Sequence, residues 1–172
     1  MTEKLIYGIQ QIGIGVDNAD KAFKWYAKNL GADALIFDDS NEATYMAKYM
    51  GDKARKKRAL LALNMQGGGG YEIWQYTNRK PSKPKNEFRI GDLGIHFPVI
   101  KTKNILATFN RLKEANENIL SEIVVDPDDK KSFYLKDPFD NILKVKEFSF
   151  FYADKKNDVG GVFSAVIGVS NI

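Results

Sequence analysis

The sequence predicts an α+β fold in which the element order β-α-β-β-β occurs twice along the chain. Two observations predict it. At residues 9–31 a strand-like alternation of apolar residues changes to the spacing of an amphipathic helix, and the same change recurs at residues 94–116. After each of these segments come short β-prone runs separated by turn residues. A repeated order of elements is typical of a fold built from two similar modules.

The first module is predicted to span residues 1–92, including a linker at its end. Ile9–Val16 alternates with the period of two that marks a strand. Ala19–Leu30 has helical spacing, with Asp17-Asn18 as N-cap residues and Gly31 at the C′ position. Four β-prone runs then predict an antiparallel meander: residues 34–37, 43–50, 58–65 and 71–76. The Pro- and Lys-rich stretch Asn78–Asn86 is predicted to be the linker.

The second module is predicted to span residues 93–152. Gly94–Ile100 alternates like a strand, and Ile105, Phe109 and Leu112 are spaced like one face of a helix. Three strands are predicted after it: Ile119–Val125, Ser132–Leu135 and Ile142–Phe148. The remaining residues, 153–172, resemble the opening strand of the first module. We interpret this tail either as the start of a further module in a longer protein or as one final strand that serves as an edge or an exchange arm.

Composition narrows the class of protein. With 172 residues, 44% of them hydrophobic, the chain is long enough to bury a core. It contains no cysteine, which excludes disulfides, thiolate catalysis and Cys-ligated metal sites. No run approaches the roughly 18 apolar residues of a membrane span, and the first ten residues lack the pattern of a secretory signal. We therefore expect a cytoplasmic protein with no membrane partner.

Positive charge is concentrated in two stretches. The net charge is +4, and much of it lies in Lys53–Arg58 and Arg79–Lys85, both of which are predicted to be loops. Neither stretch has interleaved aromatic residues or the pattern of a recognition helix. We expect solvated loops, so nucleic acid is not the favoured partner. Binding of a nucleic acid or a membrane surface through Lys53–Arg58 is the alternative.

Three short motifs carry a family resemblance. They are Gln11–Asn18 (QIGIGVDN), the helix pairs Trp25-Tyr26 and Leu30-Gly31, and Asp137–Lys144 (DPFDNILK). With these motifs the chain resembles the vicinal oxygen chelate superfamily of glyoxalases, bleomycin-resistance proteins and extradiol dioxygenases, over roughly residues 7–148. The resemblance implies that two βαβββ modules pair their curved sheets into a cup.

The resemblance also implies where a metal would be held. Metal-dependent members use one residue from the first strand and one from the last strand of each module. Those positions carry Gln11, Glu72, Phe97 and Lys144, and His96, the only histidine, lies one residue from the third of them. A side chain one residue away faces the opposite side of a sheet unless a bulge intervenes. Because amide, phenyl and ammonium groups are poor ligands, no cofactor is favoured. A divalent metal at Gln11, Glu72 and His96 is the alternative.

The resulting functional prediction is a domain that binds a small molecule in the cup without the usual metal. Gln11, Trp74 and Lys144 are the predicted substrate-binding residues, Glu72 is the predicted catalytic residue, and Glu72 and Lys144 are expected to form an ion pair. The alternative is a metal-dependent lyase, isomerase or dioxygenase that uses Glu72 and His96. Simpler roles exist for each residue, because Glu72 fits a surface carboxylate, Trp74 fits ordinary packing, and His96 fits a side chain facing solvent or the helices. A homodimer or strand exchange between chains is expected as the assembly.

Overall fold

The protein folds as two β-sheets with two helices, as described for residues 8–82, 85–86, 88–154 and 157–171 in a computed structural model. This architecture confirms the predicted α+β class. We call the elements from the first strand to the fourth the first module, and those from the fifth strand to the ninth the second module. The tenth strand follows them.

The first sheet has the strand order β1-β4-β3-β2. Its strands are β1 Gln11–Gly15, β2 Ala34–Glu42, β3 Lys56–Leu63 and β4 Gly70–Tyr76. β1 is parallel to β4, whereas the other neighbours are antiparallel. Gly68 and Gly69 lie in the turn between β3 and β4, and both have a positive φ, a conformation that favours glycine. The last strand of the module therefore lies beside its first strand.

The second sheet repeats this arrangement and adds one strand. Its order is β10-β5-β9-β8-β6, with β7 also paired to β8. The strands are β5 Gly94–Thr102, β6 Asn118–Ile119, β7 Val124–Val125, β8 Lys131–Lys136, β9 Ile142–Glu147 and β10 Val159–Gly168. β5 is parallel to β9, as β1 is to β4. In each module, the two strands that carry the metal-ligand positions of the superfamily therefore lie side by side.

The helices are α1 Ala19–Leu30 and α2 Ile105–Glu114, and an asparagine side chain caps the N-terminus of each. The Asn18 side chain accepts a hydrogen bond from the Lys21 backbone N–H at 2.9 Å. In α2 the Asn104 side chain accepts one from the Ala107 backbone N–H at 3.0 Å. Gly31 ends α1 with φ of 63°. Buried apolar side chains from both helices and both sheets belong to one continuous core.

Helix α1 also links the two modules through polar contacts. Glu117, just after α2, accepts hydrogen bonds from Trp25 Nε1 at 2.7 Å and from Asn29 Nδ2 at 2.9 Å. The buried Tyr26 hydroxyl donates to Asp137 Oδ2 at 2.8 Å. Asp137 opens the turn between β8 and β9. These bonds fix the modules relative to one another on the helical side of the sheets.

Three predictions in the first module are wrong. The run 43–50, predicted as a strand, contains a 3₁₀ helix at Thr44–Tyr49. Residues 38–41, which separate the predicted strands 34–37 and 43–50, are instead part of β2, because β2 pairs with β3 along nearly its whole length. Arg58 also bonds Asp38 and Asp20, so the end of the basic stretch Lys53–Arg58 lies in a strand with acidic partners rather than in a loop. Cross-strand pairing overrides local turn propensity here.

The predicted strand Ile119–Val125 is in fact two short strands, β6 and β7. The Tyr134 N–H donates to Ser121 Oγ at 3.0 Å, so a side chain interrupts the backbone ladder between them. The tail forms β10, which is antiparallel to β5 with three irregularities in register. It thus pairs differently from β1, the strand it resembles. Within the described residues, no helix is long and apolar enough to cross a membrane.

Candidate functional site

The two faces of the first sheet have different environments. Ile12, Ile14, Tyr71 and Ile73 are buried in the core on the face that packs against α1. The alternate side chains point the other way. They form what we call the open face, which consists of Gln11, Gly13 and Gly15 of β1 and Glu72 and Trp74 of β4. The sequence alternation thus places Glu72 on the same face as Gln11, as the family resemblance implies.

Gln11 and Glu72 satisfy each other on the open face. Gln11 Nε2 donates a hydrogen bond of 2.9 Å to Glu72 Oε2. Trp74 is half-buried two residues further along β4, and the Lys57 ammonium lies 4.2 Å from the centre of its ring. The Tyr76 ring lies edge-on at 6.2 Å. The indole therefore has one cationic and one aromatic neighbour.

Glycines leave free space beside these residues. Gly13 is the register partner of Glu72, and Gly15 is the partner of Trp74. Within the part of the chain that the structure describes, a Cβ atom built at Gly13 or Gly15 would have no atom of a non-adjacent residue within 4 Å. The open face therefore has an unfilled strip along β1, directly next to Glu72 and Trp74.

Lys144 belongs to a separate charge cluster on the second sheet. Its Nζ lies 2.7 Å from Asp126 Oδ2, and Lys146 Nζ lies 3.1 Å from the same oxygen. Ser132 Oγ donates to Asp126 Oδ1 at 2.9 Å. Burial alone would raise the pKa of the Asp126 carboxyl, but the hydrogen bonds from these three partners outweigh it and lower the pKa. The predicted Glu72–Lys144 ion pair is wrong, because Lys144 has a nearer acidic partner.

Phe97 and His96 lie next to each other on β5 in different surroundings. Phe97 is buried against the edge of the Tyr134 ring at 5.3 Å. His96 is an extra residue where the pairing of β5 with β10 shifts register, so a bulge does occur there. Its Nε2 donates to the Asp92 carbonyl at 2.6 Å, and its ring packs edge-on against Phe88 at 4.9 Å. His96 is therefore held by the segment that precedes β5, and its contacts do not include Glu72.

A cavity of about 520 Å³ lies at the seam between the modules. We call it the seam cavity. Its walls include residues of both first strands and of the segments next to them: Ile12, Gly13, Ile14, Phe88, His96 and Asn141. Asn141 Nδ2 also donates to the Gly15 carbonyl at 3.4 Å, across the seam. Sequence reasoning missed Phe88 as a wall residue, because it lies outside every repeated motif.

The four family positions do not fit a divalent metal. They supply one carboxylate, one amide, one phenyl ring and one ammonium group, whereas such ions need several nitrogen or oxygen donors. Gln11 is bonded to Glu72 and Lys144 to Asp126, so the polar groups are already engaged. Among the described residues, no three histidine, aspartate or glutamate side chains form a group that could hold a metal ion.

Comparison with known proteins agrees with this architecture. Residues 8–145 match the sequence model of the Glyoxalase/Bleomycin resistance protein/Dioxygenase superfamily. A metallothiol transferase FosB of Staphylococcus haemolyticus is 29% identical over 133 residues, which cover 77% of this chain and 78% of that protein.

Solved structures show the same fold. A glyoxalase family protein from Bacillus cereus has a TM-score of 0.65 at 14% identity, covering 86% of this chain and 97% of its own. One from Enterococcus faecalis has a TM-score of 0.57 at 19% identity, with coverage of 82% and 98%. At these identities the likeness concerns the fold alone.

Proposed function

We propose, since the chain belongs to the Glyoxalase/Bleomycin resistance protein/Dioxygenase superfamily, that it binds a small molecule between its two modules without a chelated metal. The observation that carries the proposal is the seam cavity. Its volume of about 520 Å³ falls within the ~300–1,000 Å³ of small-molecule sites. Both first strands line it, which is where members of this superfamily form their cup.

The walls of the seam cavity indicate the chemistry of the ligand. Phe88, Ile95 and Phe139 supply apolar surface, and Asn141 and Lys136 supply polar groups. Such a mixture suits a flat or compact apolar molecule with a single polar substituent, because the apolar area gives affinity and the polar groups set orientation.

Gly13 connects the cavity to the open face. It lines the seam cavity and is also the register partner of Glu72. We therefore place part of the ligand over Gly13, where Gln11, Glu72 and Trp74 contact it. We assign to Lys144 a supporting role, since Asp126 holds its ammonium in place.

Glu72 is the residue we assign to proton transfer if the bound molecule is converted. Gln11 donates to one of its oxygens, and the other, which accepts no hydrogen bond from the described residues, would act as the general base. The alternative, a metal-dependent lyase, isomerase or dioxygenase using Glu72 and His96, requires His96 to leave Asp92 and Phe88. Such a rearrangement would break a hydrogen bond of 2.6 Å.

A cavity-filling variant tests the binding site. Ligand-detected NMR with a library of flat aromatic and alicyclic molecules should yield binders to the wild-type protein. Gly13→Val should weaken them at least tenfold, because its methyl groups would occupy the strip beside Glu72. Ser40→Val is the matched control, since it adds the same side chain on an exposed part of the same sheet. The location would be refuted by molecules that bind the Gly13→Val variant as tightly as the wild type, or that Ser40→Val weakens as much as Gly13→Val does.

Metal analysis tests the second part of the proposal. Elemental analysis of purified protein, and its melting temperature with added Zn²⁺ or Mn²⁺, should show no stoichiometric ion and no stabilisation. One equivalent of metal that is lost in a Glu72→Gln variant would establish the metal-dependent alternative instead.

Location and assembly complete the proposal. We expect a cytoplasmic protein that binds neither nucleic acid nor membrane. A homodimer or strand exchange stays a prediction, with β10 as the exchanged element because Val166 and Ile167 are exposed on it. Light scattering after size-exclusion chromatography tests it, and a monomer at all concentrations would exclude it.

A further inference from the structure

Lys101 is a buried cation on β5 whose charge is not balanced by an acidic side chain. Its exposed fraction is 5%, and it makes no ion pair within the described part of the chain. Its ammonium instead lies near three aromatic rings. The ring centres of Phe148, Tyr152 and Phe151 are 5.4, 5.5 and 5.6 Å from Nζ.

Two neighbouring lysines, unlike Lys101, are paired with acidic side chains. Lys103 Nζ is paired with Asp154, and Lys146 is paired with Asp126 and Asp128. A buried ammonium carries a large desolvation cost, which ring faces offset only in part. Burial accordingly lowers the pKa of Lys101. The surroundings of Lys101 therefore lack a negative charge that the other two lysines have.

Lys101 lines a cavity of about 470 Å³. We call it the Lys101 cavity. Its remaining walls combine a glycine loop with aromatic side chains: Gly67, Gly68, Phe148, Phe150, Tyr152 and Phe163. None of Gln11, Glu72 and Trp74 lines it, and among the described residues no wall residue is common to it and the seam cavity. Most of its aromatic wall lies after residue 145, where the match to the superfamily model ends.

The glycine loop keeps the space around the ammonium open. A Cβ atom at Gly67 would lie 2.9 Å from Lys101 Cε, and one at Gly68 would lie 2.7 Å from the Tyr152 ring. Gly68 also has φ of 71°, which strains other residues. Larger residues at these positions would displace the lysine, the Tyr152 ring or the backbone of Gly160, whose Cα would lie 2.6 Å from a Cβ at Gly67.

We propose that the Lys101 cavity is a second binding site, which takes a small organic acid with an apolar or aromatic body. The carboxylate supplies the charge that Lys101 lacks, and a charge-assisted hydrogen bond to a buried ammonium is a strong one. The rings of Phe148, Phe150 and Tyr152 enclose the body of the ligand. This site is independent of the one proposed at the seam.

Benzoate and benzyl alcohol test this site as a pair of probes, because they share a ring and differ in charge. Isothermal titration calorimetry of the wild-type protein, in a buffer without competing organic acids, should show benzoate binding at least tenfold more tightly than benzyl alcohol. Equal affinities, or no binding of benzoate, would overturn the proposal without recourse to any variant.

Variants then locate the charge. Lys101→Met keeps the length and apolar stem of the side chain and should weaken benzoate at least tenfold while leaving benzyl alcohol within about threefold. Lys103→Met, which removes the same charge two residues away and outside the cavity wall, should bind both probes like the wild type. If Lys101→Met retains benzoate, or Lys103→Met loses it equally, the site is refuted. Gly13→Val should not affect benzoate, so the two sites fail separately.

Discussion

Replacement of Gly13 by alanine should stabilise the protein. Gly13 lies inside β1, where glycine has more conformational freedom to lose on folding than any other residue. An added Cβ would have no atom of a non-adjacent described residue within 4 Å, and the backbone there has no positive φ that alanine would resist. The alanine therefore reduces the conformational freedom of the unfolded chain without straining the folded one.

The expected magnitude follows from these two facts. A Gly→Ala change at a compatible position contributes about 0.4–1 kcal/mol to the free energy of unfolding. A chain of 172 residues has an entropy of unfolding of about 0.36 kcal/mol/K near 60 °C. The midpoint of thermal unfolding should therefore rise by about 1–3 °C.

Urea denaturation followed by circular dichroism measures the change, with thermal unfolding as a second readout. Gly161→Ala is the opposite case in the same protein, because its Cβ would collide with the carbonyl oxygens of Gly68 and Gly69. That variant should lose at least about 1 kcal/mol. The pair separates the effect of free space from the general effect of removing a glycine.

A lower midpoint for Gly13→Ala would refute the reasoning. It would mean that another part of the chain fills the space beside Glu72 in the folded protein, and the open face would then not be accessible to a ligand. A higher midpoint together with weaker ligand binding would show that the chain gives up stability at Gly13 to keep its site open.

Three further predictions concern buried polar groups and a helix cap. Tyr26→Phe should lower the free energy of unfolding by about 1–3 kcal/mol, because Asp137 loses a buried hydrogen bond. Tyr71→Phe should change it by less than about 0.5 kcal/mol, because the buried Tyr71 hydroxyl has no partner among the described residues. Equal effects of the two variants in urea denaturation would contradict this. The lowered pKa of Asp126 means that its ion pairs stabilise the fold above the ordinary aspartate pKa and are lost as pH falls through the lowered value. Asp126→Asn should therefore cost about 1–3 kcal/mol at pH 7 and flatten the decline of stability below about pH 4, and an unchanged acid limb would refute it. Asn18→Ala should lower the melting temperature, at a cost of about 1 kcal/mol, and no change would show that the cap contributes nothing.

Local pattern was sufficient for much of the fold. The change from period two to helical spacing located β1 and α1, and Asn18 and Gly31 marked the ends of the helix. Local pattern failed at residues 38–41, which favour a turn but lie in β2. The reason is that Arg58, on the neighbouring strand, binds Asp38. A contact over such a separation leaves no trace in the spacing of nearby residues.

The same distinction applies to the site. Gln11 and Glu72 could be placed on one face, because alternation along two strands fixes the direction of each side chain. The partner of Lys144 could not be found in this way. Asp126 lies 18 residues away in a stretch with several aspartates, and only the three-dimensional course of β7 and β8 selects it.

The pairing of polar groups explains how the seam can remain open. In a metal-dependent member of the superfamily, donors from both modules converge on one ion, which joins the modules at the centre of the cup. Here Gln11 is satisfied by Glu72 within the first module, and Lys144 by Asp126 within the second. The modules are joined instead by other contacts, with Trp25 bonded to Glu117 on the helical side and Asn141 bonded to the Gly15 carbonyl at the seam. Because the connection between the modules does not pass through the family positions, the ligand site proposed between the first strands does not require a metal ion to hold the modules together.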